Sequence, residues 1–370
     1  MNSPMNSPVN WSECPPGEVG VDPAGLDRAT GLITARGAVA QVCVLRHGRV
    51  VLNRAYGCGP DALFWTFSAG KPFTALLVHL LAQRGELSLD EPVARYWPRF
   101  GDRGKEAVTI RQVLRHRSGM ATGGSLLTDA LAMTDWDRSV RAIEQARLRW
   151  PPGQVPAYQA IIYGFILGEL VRRVTGAALP DVLRGEFLDP LGLRDVHMGL
   201  PDEMWHRRVP VHSPGLGGLV TRGALNRRAT RRAVIPSGGV SATAADLARF
   251  YQALLREGEL DGVRILEAAT VHEARRVSSD DELDRAVKLP IRWAQGFQLG
   301  GAGADPARKR PMGQSSNRET FGHNGSNCCL AWADPTRDLV FVYLTNRLTH
   351  GHEGAHHQSA VSDAILTACA

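Results

Sequence analysis

The stretch FWTFSAGKPFTALLVHLLAQRG, residues 64–85, decides the fold because it joins a helix signal to two chemically active side chains. Its apolar side chains recur at the spacing of one helix face: Phe73, Leu76, Leu77, Leu80 and Leu81. Pro72 is tolerated only in the first turn of a helix, so the helix is predicted to begin near Ser68. Ser68 and Lys71 then stand three residues apart, on one face and within mutual reach.

Lys71 is one of only four lysines in the chain, and the predicted helix is apolar on most sides. Burial lowers the pKa of a lysine, and a neutral amine beside a serine hydroxyl can act as its general base. The positive end of the helix would favour a developing oxyanion. The alternative is that Ser68 caps the helix while Lys71 extends to solvent. The S-x-x-K tetrad alone does not decide between the two.

The composition is that of an ordinary soluble globular protein of one large or two interlocked domains. Of its 370 residues, 44% are hydrophobic and 22% are charged, and no apolar run reaches the length of a membrane span. The first residues have neither the basic nor the apolar region of a signal peptide, so a cytoplasmic location is predicted. The six cysteines are irregularly spaced, which predicts free thiols.

The net charge of +6 comes mainly from dispersed arginines, and no nucleic-acid-binding module is recognisable. The one dense cluster, RGALNRRATRR at 222–232, is predicted to be a solvated loop, although it could attract an acidic partner. A literal H-E-x-x-H occurs at 352–356. Its glycine weakens a helix, so a polar loop before the last helix is favoured over a zinc site. No metal and no cofactor are predicted.

Hydrophobic alternation predicts two hairpins, at 40–57 and 330–346, one near each end of the chain. The middle is predicted to be mostly helical, with candidates at 72–84, 109–117, 160–175, 243–256 and 358–369. The fold class is therefore α/β (α+β), with an antiparallel sheet flanked by helices plus a mainly helical subdomain.

The predicted domain organisation has three parts. A disordered lead-in at 1–16 precedes a discontinuous sheet domain formed by 17–67 and 238–370. The helical subdomain at 68–237 lies between its two halves. Irregular stretches rich in Gly, Pro and Arg, at 198–237 and 275–320, are predicted to be loops that border a site.

Two further motifs follow the S-x-x-K tetrad in order. Tyr158 stands after a Pro/Gly-rich turn and directly before a helix, and His323-Asn324-Gly325 opens the C-terminal hairpin. With these three motifs the chain resembles the serine β-lactamase and penicillin-binding-protein superfamily, in particular class C β-lactamases and family VIII carboxylesterases. The resemblance runs from about residue 17 to 350 and includes the segments LDEPVARYWPRF, GKEAVTIRQVLRHRSGM, YGFILGELVRRVTG, LDPLGLRDVHMGLP and ATAADLARFYQALLREGELDGVRIL.

The resemblance implies a role for each motif. Ser68 would be the acylated nucleophile, Lys71 its base, and Tyr158 the proton relay to the leaving group. His323 stands where the lactamases carry the lysine of K-T-G and would hold the Tyr–Lys network electrostatically. The backbone N–H groups of Ser68 and Ser326 would form the oxyanion hole.

The remaining candidates are predicted to contact the substrate. They are Asn324, Gly325, Asn327, Ala160, Trp65 and Trp293, with core packing as the alternative for the two tryptophans. Ala160 replaces the asparagine of the lactamase Y-x-N motif, which counts against β-lactam specialisation but not against catalysis. Cys328 and Cys329 follow where related esterases have glycine and serine, which suggests a specialised acyl pocket. Neither has an evident base, so both are predicted to be buried strand residues.

The predicted function is that of a serine acyl-enzyme hydrolase acting on an ester or amide of a small molecule. Water as acceptor makes it a carboxylesterase, whereas an amine or alcohol makes it an acyltransferase in a biosynthetic pathway. A β-lactamase, a D,D-peptidase or a silent binding protein on the same scaffold is the less favoured alternative. The expected partners are the acyl donor and its acceptor, without nucleic acid or membrane.

Overall fold

The main sheet joins the two ends of the chain, as the hairpin patterns predict. The computed structural model describes residues 11–303, 308–349 and 351–370. The strands are Ala40–Arg46 (β1), Arg49–Tyr56 (β2), Phe64–Trp65 (β3), Val196–Met198 (β4), Val240–Ala242 (β5), Glu259–Leu260 (β6), Val263–Arg264 (β7), Gln298–Leu299 (β8), Phe321–Gly325 (β9), Cys329–Asp334 (β10) and Leu339–Thr345 (β11). Six of them form one antiparallel sheet in the order β2-β1-β11-β10-β9-β8.

Helices cover both faces of this sheet and fill the middle of the chain. They are Pro23–Ala35 (α1), Lys71–Gln83 (α2), Val93–Tyr96 (α3), Ile110–Leu114 (α4), Leu126–Ala132 (α5), Trp136–Gln145 (α6), Ile162–Thr175 (α7), Leu179–Leu183 (α8), Gly215–Leu225 (α9), Arg228–Arg232 (α10), Ala244–Leu255 (α11), Ala268–Arg275 (α12) and Glu353–Ala368 (α13). None of the described helices is long and apolar enough to cross a membrane.

Successive side chains of β10 point to opposite faces of the sheet, and each face packs against its own hydrophobic core. Leu330 and Trp332 belong to the core beneath α1 and α13, whereas Ala331 and Ala333 face the core that contains α2 and α11. Burying each large apolar side chain contributes about 1.5–3 kcal/mol, so both faces of the sheet stabilise the fold. The structure therefore confirms the predicted class, an antiparallel sheet between helices with a mainly helical region beside it.

The register of the edge strands decides what faces the helical region. On β9, His323 lies opposite Ala331 and so points toward α2, while Asn324 lies opposite Leu330 and points to the other face. Gly325 lies against the segment before α2, since a Cβ there would stand 2.0 Å from the carbonyl oxygen of Thr66. This close approach joins the sheet to the turn that carries Ser68, directly before α2.

Several local predictions differ from the structure. The stretch 198–237 is not all loop, because α9 and α10 form there and bury Arg231. The H-E-x-x-H segment lies at the start of α13, which begins at 353 rather than at 358. No cluster of His, Cys, Asp or Glu that could hold a metal occurs among the described residues. All six cysteines are free, as predicted.

Residues 11–16 of the predicted lead-in at 1–16 lie against the sheet. Residues 1–10 lie outside the described part of the chain. Cys14 is buried, and its backbone N–H donates to the carbonyl oxygen of Val50 on β2 (2.9 Å). Trp11 also contacts the core. The apolar side chains of this segment thus fix it to the sheet, while the domain boundaries proposed from the sequence stay a prediction.

Candidate active site

Ser68 lies in a tight turn between β3 and α2. A 3-10 turn at Phe67–Gly70 precedes Lys71, the first residue of α2. Phe67 has a positive φ of 51°, an uncommon backbone conformation for a residue with a side chain. Ser68 itself is half-buried. The strained residue and the short helix present the hydroxyl at the N-terminal end of α2, as the sequence predicts.

Lys71 is buried, and its amine has three oxygen neighbours. Nζ donates to the carbonyl oxygens of Ala160 (2.8 Å) and Ser237 (3.0 Å) and lies 3.1 Å from Ser68 Oγ. Burial lowers the pKa of Lys71 well below that of a free lysine. A neutral amine has two N–H groups, which the two carbonyls occupy. Its lone pair is then left for the proton of the Ser68 hydroxyl.

The carbonyl oxygen of Ser237 owes its position to a close contact with α7. Gly164 on α7 lies so near this segment that a Cβ would stand 2.4 Å from the backbone nitrogen of Ser237. Its N–H also donates to Ser237 Oγ (2.7 Å). Any side chain at 164 would displace a hydrogen-bond acceptor of Lys71.

Tyr158 approaches the same hydroxyl from the other side. Its phenol donates to Ser68 Oγ at 2.7 Å, and Lys71 Nζ lies 5.0 Å from the centre of its ring. Burial raises the pKa of Tyr158 above its usual value. In the resting site it is therefore a neutral donor, which leaves Lys71 as the candidate base.

Asp284 is a buried carboxylate of this site that the sequence did not reveal. One oxygen accepts from the backbone N–H of Tyr158 (3.0 Å), and the other accepts from Trp293 Nε1 (3.2 Å). The Tyr158 and Trp293 rings stack with centres 5.1 Å apart and planes 5° from parallel. Asp284 thus holds both members of the stack. It stands in an irregular stretch without periodicity, so no sequence signal marked it.

Two buried imidazoles border the network without carrying charge. Burial and nearby Lys71 lower the pKa of His323 to about 3. The same two causes, together with His323, lower the pKa of His116, another residue that the sequence did not mark. The His323 ring lies 6.3 Å from that of Tyr158. A neutral His323 does not supply the positive charge that the resemblance implied for this position.

The β9–β10 turn carries three more of the predicted residues. Ser326 and Asn327 both have positive φ (51° and 54°), the pattern of a tight hairpin turn. The side chain of Asn324 closes this turn, since its Nδ2 donates to Asn327 Oδ1 (2.6 Å) and its Oδ1 accepts from the Asn327 N–H (2.9 Å). Because Gly325 contacts Thr66, the turn brings the Ser326 backbone close to the segment of Ser68.

Three other residues that the sequence predicts to contact the substrate are Trp65, Trp293 and Ala160. In the structure each of them contacts other groups of the protein. Trp65 is 4% exposed and lies beneath the buried guanidinium of Arg231, 4.8 Å from the ring centre. Trp293 is buried behind Tyr158, and the carbonyl oxygen of Ala160 accepts a hydrogen bond from Lys71. These surroundings favour core packing, the alternative that the sequence left open for the two tryptophans.

Cys328 and Cys329 are fully buried, as predicted. Burial raises the pKa of the Cys328 thiol well above its ordinary value, and this thiol donates to the carbonyl oxygen of Thr345 (2.7 Å). The Cys329 thiol donates to the carbonyl oxygen of Trp65 (3.4 Å). Buried thiols engaged in this way are inert packing groups.

Comparison with known proteins gives one family for nearly the whole chain. The Beta-lactamase family model matches residues 29–364. Over 300 residues, the chain is 30% identical to the esterase/beta-lactamase LipL of Mycobacterium tuberculosis, covering 74% of this chain and 66% of LipL. Over 260 residues it is 31% identical to the esterase EstB of Burkholderia gladioli, covering 59% of this chain and 65% of EstB. The matched region thus spans just under two thirds of these relatives' own length.

Solved structures agree in fold over more of the chain. A penicillin-binding-protein homologue from Caulobacter crescentus superposes with a TM-score of 0.79 at 28% identity, over 94% of this chain and 99% of its own. A family VIII carboxylesterase superposes with a TM-score of 0.81 at 25% identity, with the same coverage. The LovD6 mutant of simvastatin synthase (LovD) from Aspergillus terreus, at 18% identity and a TM-score of 0.70 over 93% of this chain and 96% of its own, shares the fold.

Proposed function

Because the chain belongs to the β-lactamase family, we propose that it is a serine esterase that forms an acyl-enzyme on Ser68. One observation carries the proposal. Ser68 Oγ lies between a buried amine at 3.1 Å and a phenol at 2.7 Å, so a base and an acid flank the same nucleophile. Such a pair activates a serine without a histidine or a metal.

Acylation follows from the direction of the hydrogen bonds. The Ser68 proton passes to neutral Lys71 as Oγ attacks the ester carbonyl carbon. The backbone N–H groups of Ser68 and Ser326 are our candidates for stabilising the oxyanion. When the C–O bond of the ester breaks, the leaving oxygen takes the phenol proton of Tyr158. The acyl-enzyme then faces an ammonium at Lys71 beside a phenolate at Tyr158.

Deacylation reverses these proton transfers. The Tyr158 phenolate takes a proton from the acceptor, whose oxygen or nitrogen attacks the acyl carbon. Ser68 Oγ leaves and recovers its proton from Lys71, which restores the resting site. Water as acceptor gives the carboxylesterase. The acyltransferase alternative differs only in using an alcohol or amine at this step. The products of the reaction therefore distinguish an esterase from an acyltransferase.

The test is intact-mass spectrometry of the wild type and of Ser68→Ala after mixing with 4-nitrophenyl acetate. We expect a burst of 4-nitrophenol and a mass increase of one acetyl group in the wild type alone. Ser139→Ala is the control, because this buried serine on α6 hydrogen-bonds the carbonyl oxygen of Ala132 and should leave the burst intact. An acetyl adduct in Ser68→Ala equal to that of the wild type would contradict the proposal.

The same reaction with added small amines or alcohols identifies the acceptor. Release of acetate alone supports the esterase. Faster loss of the acetyl adduct, with formation of the amide or of a new ester, supports the acyltransferase instead. Hydrolysis of a β-lactam at a rate above that of the ester would contradict both readings and restore the lactamase alternative, which Ala160 disfavours.

A further inference from the structure

Helix α7 begins without a cap from its own sequence. The residue at the cap position is Ile161, whose side chain has no oxygen to accept from the free N–H groups of the first turn. In its place the hydroxyl of Ser237, which lies 73 residues beyond Gly164 in the chain, accepts from the Gly164 N–H (2.7 Å). A serine from a distant segment therefore caps this helix.

The same hydroxyl also holds the carbonyl group of the cap residue. Ser237 Oγ donates to the carbonyl oxygen of Ile161 (2.7 Å), so its proton and a lone pair are both engaged. Ser237 is only 2% exposed, so water does not compete for either bond. Two short hydrogen bonds thus fix the segment of Ser237 against the start of α7.

Both ends of this connection carry an acceptor of the Lys71 amine. The carbonyl oxygen of Ala160, the residue directly before Ile161, accepts from Nζ at 2.8 Å. The carbonyl oxygen of Ser237 itself accepts from Nζ at 3.0 Å. The two carbonyls belong to segments that are far apart in sequence. Because the Ser237 hydroxyl joins these segments, it fixes the spacing of the two acceptors.

A separate contact holds the Ser237 segment to α2. Thr74, one turn after Lys71, donates through its hydroxyl to the carbonyl oxygen of Pro236 (3.3 Å), and both Thr74 and Lys71 are buried. The segment is thus anchored to α2 by Thr74 and to α7 by the Ser237 hydroxyl. Removing this hydroxyl therefore releases the α7 side and leaves the α2 side in place.

We propose that the Ser237 hydroxyl is a positioning group for Lys71, because it holds both carbonyl acceptors against the buried amine. The inference rests on the proposed esterase function, since it concerns the base of that reaction. With both N–H groups of the neutral amine bound to fixed carbonyls, the lone pair is directed to the Ser68 hydroxyl. The same carbonyls stabilise the ammonium that forms during acylation, because hydrogen bonds to the charged form raise the pKa of an amine.

The test is Ser237→Ala, which removes the hydroxyl and keeps the backbone carbonyl that Lys71 uses. The rate constant of the 4-nitrophenol burst should fall about tenfold or more, because the lone pair loses its direction. The midpoint of its pH profile should move to lower pH by about half a pH unit or more, because the ammonium loses fixed acceptors. The titratable neighbours of the amine are Tyr158, His116 and His323, and the substitution changes none of them. Ser237→Cys, which keeps a weaker donor and acceptor, should give an intermediate result.

Ser362→Ala is the matched control, because this serine on α13 makes the same two kinds of bond. It is fully buried, accepts from Trp332 Nε1 (3.3 Å) and donates to the carbonyl oxygen of Pro311 (2.8 Å). Both variants should lose stability in thermal unfolding, but only Ser237→Ala should change the burst and its pH midpoint. A midpoint that stays in place or rises in Ser237→Ala, or an equal change in Ser362→Ala, would overturn the inference.

A direct titration separates this inference from the proposed function. The chain has four lysines, so in protein made with isotope-labelled lysine the Cε signal of Lys71 can be assigned by its loss in Lys71→Met. The pKa that this signal reports should be lower in Ser237→Ala than in the wild type, and unchanged in Ser362→Ala. If the wild type forms no acyl adduct, the esterase proposal fails, yet the titration still tests Ser237. Equal pKa values in the wild type and Ser237→Ala would reject the positioning role even where turnover is normal.

Discussion

Two buried lysines, Lys71 and Lys105, have nearly the same surroundings and different chemistry. Each amine contacts three oxygen atoms. Around Lys105 all three are backbone carbonyls, those of Asp102, Glu144 (2.9 Å) and Ala146 (2.7 Å). Around Lys71 two are carbonyls and the third is the Ser68 hydroxyl. The difference between a structural and a reactive lysine is thus one oxygen that carries a proton.

Nearby charge reinforces the difference. Burial lowers the pKa of both lysines. At Lys105 the carboxylates of Asp102 and Glu144 oppose this, and three carbonyl acceptors match the three N–H groups of an ammonium. Neither lysine has a carboxylate within ion-pair distance among the described residues, but only the pKa of Lys105 is raised by nearby carboxylates, whereas burial alone shifts that of Lys71. Lys105 is therefore built to keep its proton, and Lys71 to exchange one.

The largest expected effect contrasts the two lysines directly. Lys71→Met should lower kcat/KM for a 4-nitrophenyl ester about a thousandfold or more, because the general base is lost. Lys105→Met should leave kcat/KM of the folded enzyme within about twofold. It should cost about 3 kcal/mol of stability, because buried carbonyls lose their donor. Steady-state kinetics measures kcat/KM, and burst titration counts the active sites. Thermal unfolding measures the loss of stability.

These variants are each other's control, since both replace a buried lysine by an uncharged chain of similar length. Circular dichroism establishes that each is folded before kinetics are compared. A Lys105→Met enzyme that is folded but as inactive as Lys71→Met would show that the proton-bearing third oxygen is not what distinguishes the two sites.

An intermediate effect is expected at Asp284, which holds Tyr158 and Trp293 rather than touching the substrate. In Asp284→Asn an amide N–H₂ must face either the Trp293 N–H or the Tyr158 N–H, so the stack shifts. Because the phenol then moves relative to Ser68, kcat per titrated site should fall about 10- to 100-fold with KM little changed.

The matched control is Glu282→Gln, two residues away on the same segment. Its carboxylate is about half exposed and pairs with Arg117 at 2.7 Å, away from Tyr158. It should keep wild-type kcat. If Asp284→Asn merely lowers the number of titratable sites while kcat per site stays normal, Asp284 is a stabilising residue and not a positioning one.

The smallest effect is expected from His323→Gln on the pH dependence of kcat/KM. Below the pKa of Lys71 the amine is protonated and cannot accept the Ser68 proton, so kcat/KM should rise as pH increases through that pKa. His323, whose pKa burial lowers to about 3, is neutral at any pH well above that value. His323→Gln should therefore leave the midpoint of the pH profile in place. A displaced midpoint would mean that His323 carries charge during catalysis.

How much could be predicted from the sequence depends on whether the interacting residues are close together in the chain. The proximity of Ser68 and Lys71 follows from helix spacing, and the hairpins follow from alternation, because both are local. Tyr158 was reached by resemblance to a family. Asp284 could not be found either way, because its function depends on an N–H group 126 residues away. Contacts of that kind are decided by tertiary packing.

Arg231 is a second residue whose surroundings depend on tertiary packing, because a residue predicted to be exposed is buried. It belongs to an arginine-rich stretch whose composition predicts a solvated loop. The structure instead buries it, with Nη2 donating to the carbonyl oxygen of Val209 (3.3 Å). The Trp65 ring beneath the guanidinium offers a cation–π contact that the linear sequence does not reveal. One buried member of a charged run cannot be told from its exposed neighbours by composition.

The pairing of β1 with β11 has a consequence for synthesis. These neighbouring strands are roughly 300 residues apart in sequence, so the centre of the sheet is its last part to be translated. Until β11 leaves the ribosome, the β1–β2 hairpin has an unpaired edge that can associate with other chains. The nascent chain must therefore extend from β1 as far as β11 before its sheet can close, which makes chaperone binding during translation an advantage.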